Sequence, residues 1–140
     1  MNAAERPAKP LPDVTDPWYG PYWEGTRAGQ LRFQHCDDCG YIRWPPAPIC
    51  PECLSGRAGW RPVRPTGRIY SFGVYEHCYN EAFRADLPYN VALVCLDDGP
   101  RLMTNIVGIA NENIRIDMPV TAVFEPVTDE VTLVKFRPQA

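Results

Sequence analysis

Two C-x-x-C pairs, Cys36–Cys39 and Cys50–Cys53, stand ten residues apart in "HCDDCGYIRWPPAPICPECLSG", residues 35 to 56. No other feature of the chain restricts its fold as much. Zn2+ takes four nitrogen or sulfur ligands at the corners of a tetrahedron, and a C-x-x-C turn aims two thiolates at one ion. The pattern predicts a zinc ribbon with one structural Zn2+ per chain, ligated by Cys36, Cys39, Cys50 and Cys53. Two disulfides or a redox pair are the other readings of the same spacing. Four protein thiolates leave no open coordination position, so such an ion holds the chain and does not activate water. His35 then reads as a neighbour and not a ligand. Gly40 supplies the loose backbone a knuckle uses, and "PPAP" at 45–48 makes a rigid, non-helical connection between the two knuckles.

The remainder of the 140 residues is enough for a small barrel beside the ribbon. Residues 1–17, with four of the 16 prolines and no apolar h-region, read as a flexible lead-in and not as a secretory signal. No apolar stretch approaches the length of a membrane span. A cytoplasmic location is expected, and thiols stay reduced there, which favours metal over disulfide. Residues 18–29 read as a helix with an aromatic side made of Trp18, Tyr19, Tyr22 and Trp23, with Asp16 or Thr15 as its cap and Gly29 as its end. "QLRFQHC" alternates like a strand leading into the first knuckle, and the ribbon is expected over 30–66.

From Gly67 the sequence becomes a series of β segments near 68–77, 90–97, 100–107, 119–125 and 131–137. "LDDGPR" and "VTDE" read as tight hairpins. "NVALVCL" is apolar at every second position and also between, which predicts a central strand covered on both faces with Cys95 buried in it. Five short strands in 67–140 predict a small OB-type barrel, with room for a turn or two of helix in 108–118. The fold expected is mainly β: an N-terminal helix, a rubredoxin-like zinc ribbon, then a five-stranded OB-fold barrel.

Catalytic equipment is scarce. There are two histidines, and no phosphate-binding glycine loop, H-E-x-x-H or nucleophile elbow. His77 and Cys78 are adjacent, and on a strand their side chains would point to opposite faces. The Asp37–Asp38 and Asp97–Asp98 pairs read as turn residues. A single-stranded nucleic-acid module is the alternative function, with Tyr70, Phe72 and Tyr75 as a stacking platform. Against it stand the net charge of -3 and the presence of only two lysines. Arg57, Arg61, Arg64 and Arg68 crowd the joint between ribbon and barrel, where planar guanidinium groups would suit phosphate groups; a solvated linker is the plainer reading. The segment "CYNEAFRADLPY", residues 78–89, holds Tyr79, Phe83, Leu87 and Tyr89, which suit a partner interface or a plug over the barrel's end.

The order of these parts resembles a known family. "YWEGTRAGQLRFQHCDDCG", "PPAPICPEC", "TGRIYSFGV", "LPYNVALVCLDDGPRLMTNIVG" and "MPVTAVFE" are similar to the acyl-CoA-associated proteins that join a rubredoxin-like zinc ribbon to an OB-fold, and the likeness runs over residues 18–138. It implies a non-catalytic subunit that stabilises a thiolase-superfamily partner and helps hold acyl-CoA, as with condensing enzymes or the lipid-transfer-protein-like aldolases of steroid side-chain degradation. The sequence departs at Ala47, where the family often has Arg, which weakens any anion contact from the ribbon. It departs again at Asp117, where a Gly is usual and one turn is expected to change.

Overall fold

Helix, ribbon and barrel follow one another in the computed structural model, which describes residues 7–140. Of the lead-in expected over 1–17, residues 1–6 lie outside the described residues. Helix α1 (Gly20–Arg27) takes Pro21 in its first turn, where a missing N–H removes no helical bond. Ahead of it, the Asp16 carboxylate accepts from the backbone N–H groups of Trp18 (2.8 Å) and Tyr19 (3.2 Å). The helix stops at Gly29, whose φ of +74° is one that a Cβ disfavours. Gly29 N–H donates to Thr26 O at 3.0 Å and Gln30 N–H to Gly25 O at 2.8 Å, the paired bonds of a Schellman end. The aromatic side of the helix packs inward: Tyr22 is buried, with its ring 4.5 Å from that of Trp44 and 6.0 Å from that of Phe33. Trp18 stays exposed.

Strands β1 (Leu31–Cys36), β2 (Ile42–Arg43) and β3 (Ala58–Val63) form the ribbon sheet in the order β2-β1-β3. The second sheet holds β4 (Thr66–Tyr75), β5 (Tyr89–Leu96), β6 (Arg101–Thr104), β7 (Pro119–Pro126) and β8 (Thr132–Pro138) in the order β6-β5-β4-β7-β8. It curls into an OB-like barrel. Past β6 the chain bridges to β8 in parallel at Ile106 and Phe136, with Phe136 N–H donating to Asn105 O (3.1 Å) and Val107 N–H to Phe136 O (2.8 Å). The buried Asn90 side chain holds this closure. It donates to Ile106 O (2.8 Å) and to Asn111 Oδ1 (3.0 Å) and accepts from Ile106 N–H (2.6 Å). Both expected hairpins form, at Leu96–Pro100 and Val127–Val131. The 108–118 segment carries a single 3-10 turn, Asn111–Asn113.

One apolar core serves all three parts: Tyr22 from the helix, Leu31 and Phe33 from β1, and Ile69, Val94, Leu102, Val120 and Phe136 from the barrel. β4 passes so near β5 that a Cβ on Gly67 would lie 2.4 Å from Cys95 O.

Two expectations need correction. β5 is central, but only one face is covered: Ala92, Val94 and Leu96 are buried, Val91 and Leu93 half-buried, and Cys95 exposed. The segment is apolar in both phases, yet the sheet curls around a single core and leaves its other side outward. β4 ends at Tyr75, so His77 and Cys78 lie in a loop and not on a strand. Asp117 sits at φ +69°, a region Asp tolerates better than most residues, and its N–H donates to Ile69 O at 2.7 Å.

Candidate metal centre and binding surfaces

The two knuckles repeat one set of backbone bonds. Cys36 N–H donates to Tyr41 O and Gly40 N–H to Cys36 O; Cys50 N–H donates to Ser55 O and Leu54 N–H to Cys50 O, all at 2.9 or 3.0 Å. The residue after each second cysteine turns left-handed, Gly40 at φ +78° and Leu54 at +66°. Sequence alone marks the first and not the second, because Leu at positive φ is rare. The turns bring the sulfurs together: Cys36 to Cys53 is 3.5 Å, Cys39 to Cys50 is 3.6 Å, and all four lie within 4.8 Å of one another. A tetrahedron of Zn–S bonds near 2.3 Å has edges of about 3.8 Å, so the donor set fits.

The electrostatics agree. The backbone N–H of Cys39 is the largest influence that lowers the Cys36 thiol, to about 6. Burial pushes Cys50 up, but the N–H groups of Cys53 and Glu52 outweigh it and the thiol is lowered. Cys53 receives help from the Ser55 N–H, yet Cys36, burial and the other two thiols push it up to about 12. Four thiolates this close ionise together only around a cation. The four cysteines are positioned to bind a metal.

The knuckles are tied to each other outside the sulfurs. Asp38 of the first accepts from Ser55 and Arg57 beyond the second, and the Arg57 bond is the chief reason its carboxyl lies below the usual range. Beneath them Arg43 is buried. Its Nε donates to Gln34 Oε1 (2.9 Å) and its Nη2 to Ala47 O (2.8 Å), while Ala47 N–H donates to the same Gln34 oxygen (2.8 Å). Among the described residues its Nη1 has no hydrogen-bond partner. Sequence reasoning missed this network, since Arg on a short strand reads as exposed.

The joint arginines do not meet at one point. Arg57 pairs with Asp38, Arg61 with Asp37 at 3.4 Å, and Arg64 with Asp98 at 2.8 Å, while Arg68 donates to Asp117 O at 3.0 Å. Asp37, Asp38 and Asp98, read from sequence as turn residues, are thus also arginine partners. Residues 78–89 contain a 3-10 helix, Glu81–Asp86, whose Asn80 cap accepts from Ala82 N–H at 2.9 Å. Tyr89 stacks on Tyr75 with centroids 5.5 Å apart, Tyr79 meets Tyr75 edge-on at 6.2 Å, and Phe83 lies 6.1 Å from Tyr89. Tyr79 is 76% exposed, whereas Phe83, Leu87 and Tyr89 are half-buried. Tyr75, read from the sequence as part of a base-stacking platform, is the ring that joins Tyr79 and Tyr89. His77 lies against Tyr79 at 4.7 Å, and Cys78 Sγ approaches Asn80 O at 3.4 Å, so the two do not form a nucleophile pair. Beside the loop a groove of about 830 Å³ runs between Lys9–Leu11, Phe83, Met103 and Leu133.

A helix leading into a four-cysteine ribbon and then an OB-like barrel defines a class of two-module, metal-bearing proteins. The chain belongs to the ChsH2/DUF35 family: residues 23–58 match "ChsH2, rubredoxin-like zinc ribbon domain" and residues 60–125 match "ChsH2, C-terminal OB-fold domain". A DUF35 domain-containing scaffold protein of Methanothermobacter thermautotrophicus is 35% identical over 68% of this chain and 71% of its own length. A probable enoyl-CoA hydratase alpha subunit of Thermomonospora curvata is 42% identical over 84% of this chain. The 3-oxo-4,17-pregnadiene-20-carboxyl-CoA hydratase alpha subunit of Mycobacterium tuberculosis is 31% identical over 74%. The chain spans only 36% and 32% of the lengths of these last two relatives. Among solved structures, a chain of the Ltp2-ChsH2(DUF35) aldolase superposes with a TM-score of 0.82 at 38% identity, over 91% of this chain and 98% of that one.

Proposed function

We propose that the chain is a non-catalytic scaffold subunit that binds a thiolase-superfamily enzyme acting on acyl-CoA. One observation carries this reading: the likeness over 98% of a chain of the Ltp2-ChsH2(DUF35) aldolase. An aldolase that cleaves a steroid-derived acyl-CoA is the reaction we assign to the complex. The aldolase name and the pregnadiene-carboxyl-CoA name of the mycobacterial relative support that choice. In this reading residues 18–29 (helix), 30–66 (ribbon) and 67–140 (barrel) follow a lead-in over 1–17, and the ribbon holds one Zn2+ per chain. The Zn2+ is structural, and a reducing cytoplasm keeps its thiols available.

Affinity capture from the native lysate, with the partner identified by mass spectrometry and then co-expressed, tests the reading. A stable hetero-oligomer with a thiolase-superfamily protein is expected, with the isolated chain inert toward acyl-CoA thioesters. Turnover by the isolated chain, or capture without such a protein, would overturn it. Tyr79, Phe83, Leu87 and Tyr89 are assigned to the partner surface, so Tyr79→Ala and Phe83→Ala should weaken assembly and leave bound zinc unchanged.

The proposal for CoA is that Arg57, Arg61, Arg64 and Arg68 contribute to its phosphate contacts within the complex. Asp38, Asp37 and Asp98 would have to release Arg57, Arg61 and Arg64, so the expected effect is modest: calorimetry with Arg61→Ala and Arg64→Ala should show weaker CoA binding, and equal affinities would remove the idea. No nucleic-acid partner is proposed. Salt-dependent binding of single strands by the pure chain would contradict that.

A further inference from the structure

We propose that the outer face of the β4–β5–β6 sheet is a protein–protein interface, and that a different protein with an apolar surface edged by carboxylates occupies it. The proposal rests on the scaffold reading and adds where on the molecule the partner sits. Its starting point is a mismatch. The water-facing side of an antiparallel strand is ordinarily polar. β5 instead places Val91, Leu93 and Cys95 outward, opposite the buried Ala92, Val94 and Leu96.

Cross-strand pairing arranges this face in rows. Arg68, Cys95 and Arg101 lie side by side; next come Ser71, Leu93 and Met103; then Gly73 and Val91; and Tyr75 stacks on Tyr89 at the far end. A bulge between Ile69 and Ser71 frees Tyr70, which reaches across β5 until its ring centroid is 3.9 Å from the Arg101 guanidinium carbon. Tyr70 is 51% exposed and Met103 71%. An exposed, pre-stacked Tyr–Arg pair beside Leu and Met has the composition of an interface centre, where Tyr and Arg carry much of the energy. The face continues past Met103 into the 830 Å³ groove and past Tyr75 into Tyr79.

Charge decides the occupant. The outward residues of these three strands include two arginines and no carboxylate, although the chain as a whole carries a net charge of -3. Among the described residues neither Arg68 nor Arg101 forms an ion pair; Arg68 meets only the Asp117 carbonyl, and Arg101 the Tyr70 ring. A two-fold pair of this chain would press the same patch against itself, gathering four guanidinium groups with no acid from either copy. A partner with carboxylates along one edge satisfies them.

The test uses full-length chain and the thiolase-superfamily partner identified by capture, both purified. Met103→Glu and Arg101→Glu alter exposed side chains, so zinc content and circular dichroism should match the wild type. Each should weaken the complex about tenfold or more, and the Arg101→Glu loss should shrink as salt rises. Hydrogen exchange of the wild-type complex should slow at β4, β5 and β6. If both variants bind like the wild type, or protection falls on another face, the assignment is wrong while the scaffold reading stands. If the wild type assembles with no thiolase-superfamily protein, the scaffold reading fails and takes this proposal with it. A homodimer that Met103→Glu abolishes would overturn the choice of occupant.

Discussion

The ribbon and the barrel are both small antiparallel sheets, but different forces hold them. In the barrel, every strand contributes buried side chains: Ile69, Val94, Leu102, Val120 and Phe136 meet in one core. In the knuckle region, residues 37–57, only Arg43 and Cys50 are buried. That segment has almost no apolar interior of its own. Its order comes from paired backbone turns, from Asp38 bridging to Ser55 and Arg57, and from whatever cation the four sulfurs hold. β1 belongs to both regimes. It carries Cys36 at one end and fully buried Leu31 and Phe33 at the other. Sulfur cluster and apolar core thus divide the labour along a single strand.

Removing a sulfur should separate the two regions most. Cys39→Ser or Cys50→Ser should cost the knuckles the metal's contribution to folding, on the order of 10 kcal/mol in small modules. Elemental analysis should show the ion gone, and exchange should become fast over 37–57 while β4–β8 stay protected. A stably ordered ribbon without metal would mean the turns alone suffice.

The converse is a cut in the core. Phe136→Ala should lower global stability by about 3–5 kcal/mol, read from denaturant unfolding, with the metal still bound in native buffer. Phe33→Ala sharpens the point. Phe33 is as buried as Phe136 but lies on the strand that ends in Cys36. Its loss should destabilise the barrel by a similar amount and also loosen the metal, seen as faster transfer to a chelator. If Phe33→Ala leaves metal release unchanged, β1 does not couple the two regions.

How much of this was visible beforehand follows the same division. The cysteine spacing is a covalent pattern with one economical solution, so the cluster was legible residue by residue. The five barrel strands were legible because alternating burial writes itself into the sequence at period two. What failed depended on neighbours not adjacent in sequence. The outward exposure of Cys95 depends on what the sheet curls around, which a strand cannot declare. Arg43 is buried because Gln34 and the Ala47 carbonyl, on other segments, supply its acceptors. The joint arginines looked free because Asp37, Asp38 and Asp98 are distant in the chain from Arg61, Arg57 and Arg64.

A smaller effect tests the barrel's closure. Asn90→Ala would strip the buried Ile106 N–H of its acceptor at the point where β6 hands over to β8. A buried donor left unpaired costs about 1–3 kcal/mol. The loss should appear as faster exchange at Val107 and Phe136, whose amides bond across that seam, before it appears in the melting of the whole barrel.

The smallest effect concerns the joint where the two regions touch. Arg64 donates both its backbone N–H and its guanidinium to Asp98, and the guanidinium bond is the chief reason the Asp98 carboxyl lies below its usual range. A carboxylate depressed in the folded state adds stability that is fully present above its unfolded pKa, about 3.9, and is lost as pH falls through the folded value. The joint should therefore be indifferent to pH between 7 and roughly 5 and loosen only below about 4. The Arg64 side chain is exposed and that of Asp98 partly so, so salt screens the pair and the shift in unfolding midpoint is small. Acid also releases metal from thiolates, which would mask the effect in one protein measured alone. Wild type and Asp98→Asn should therefore be compared at each pH, since thiolate protonation is common to both. The variant should be the less stable at neutral pH, and the two should converge in acid. A gap that persists in acid would show that the stabilisation does not depend on the Asp98 charge.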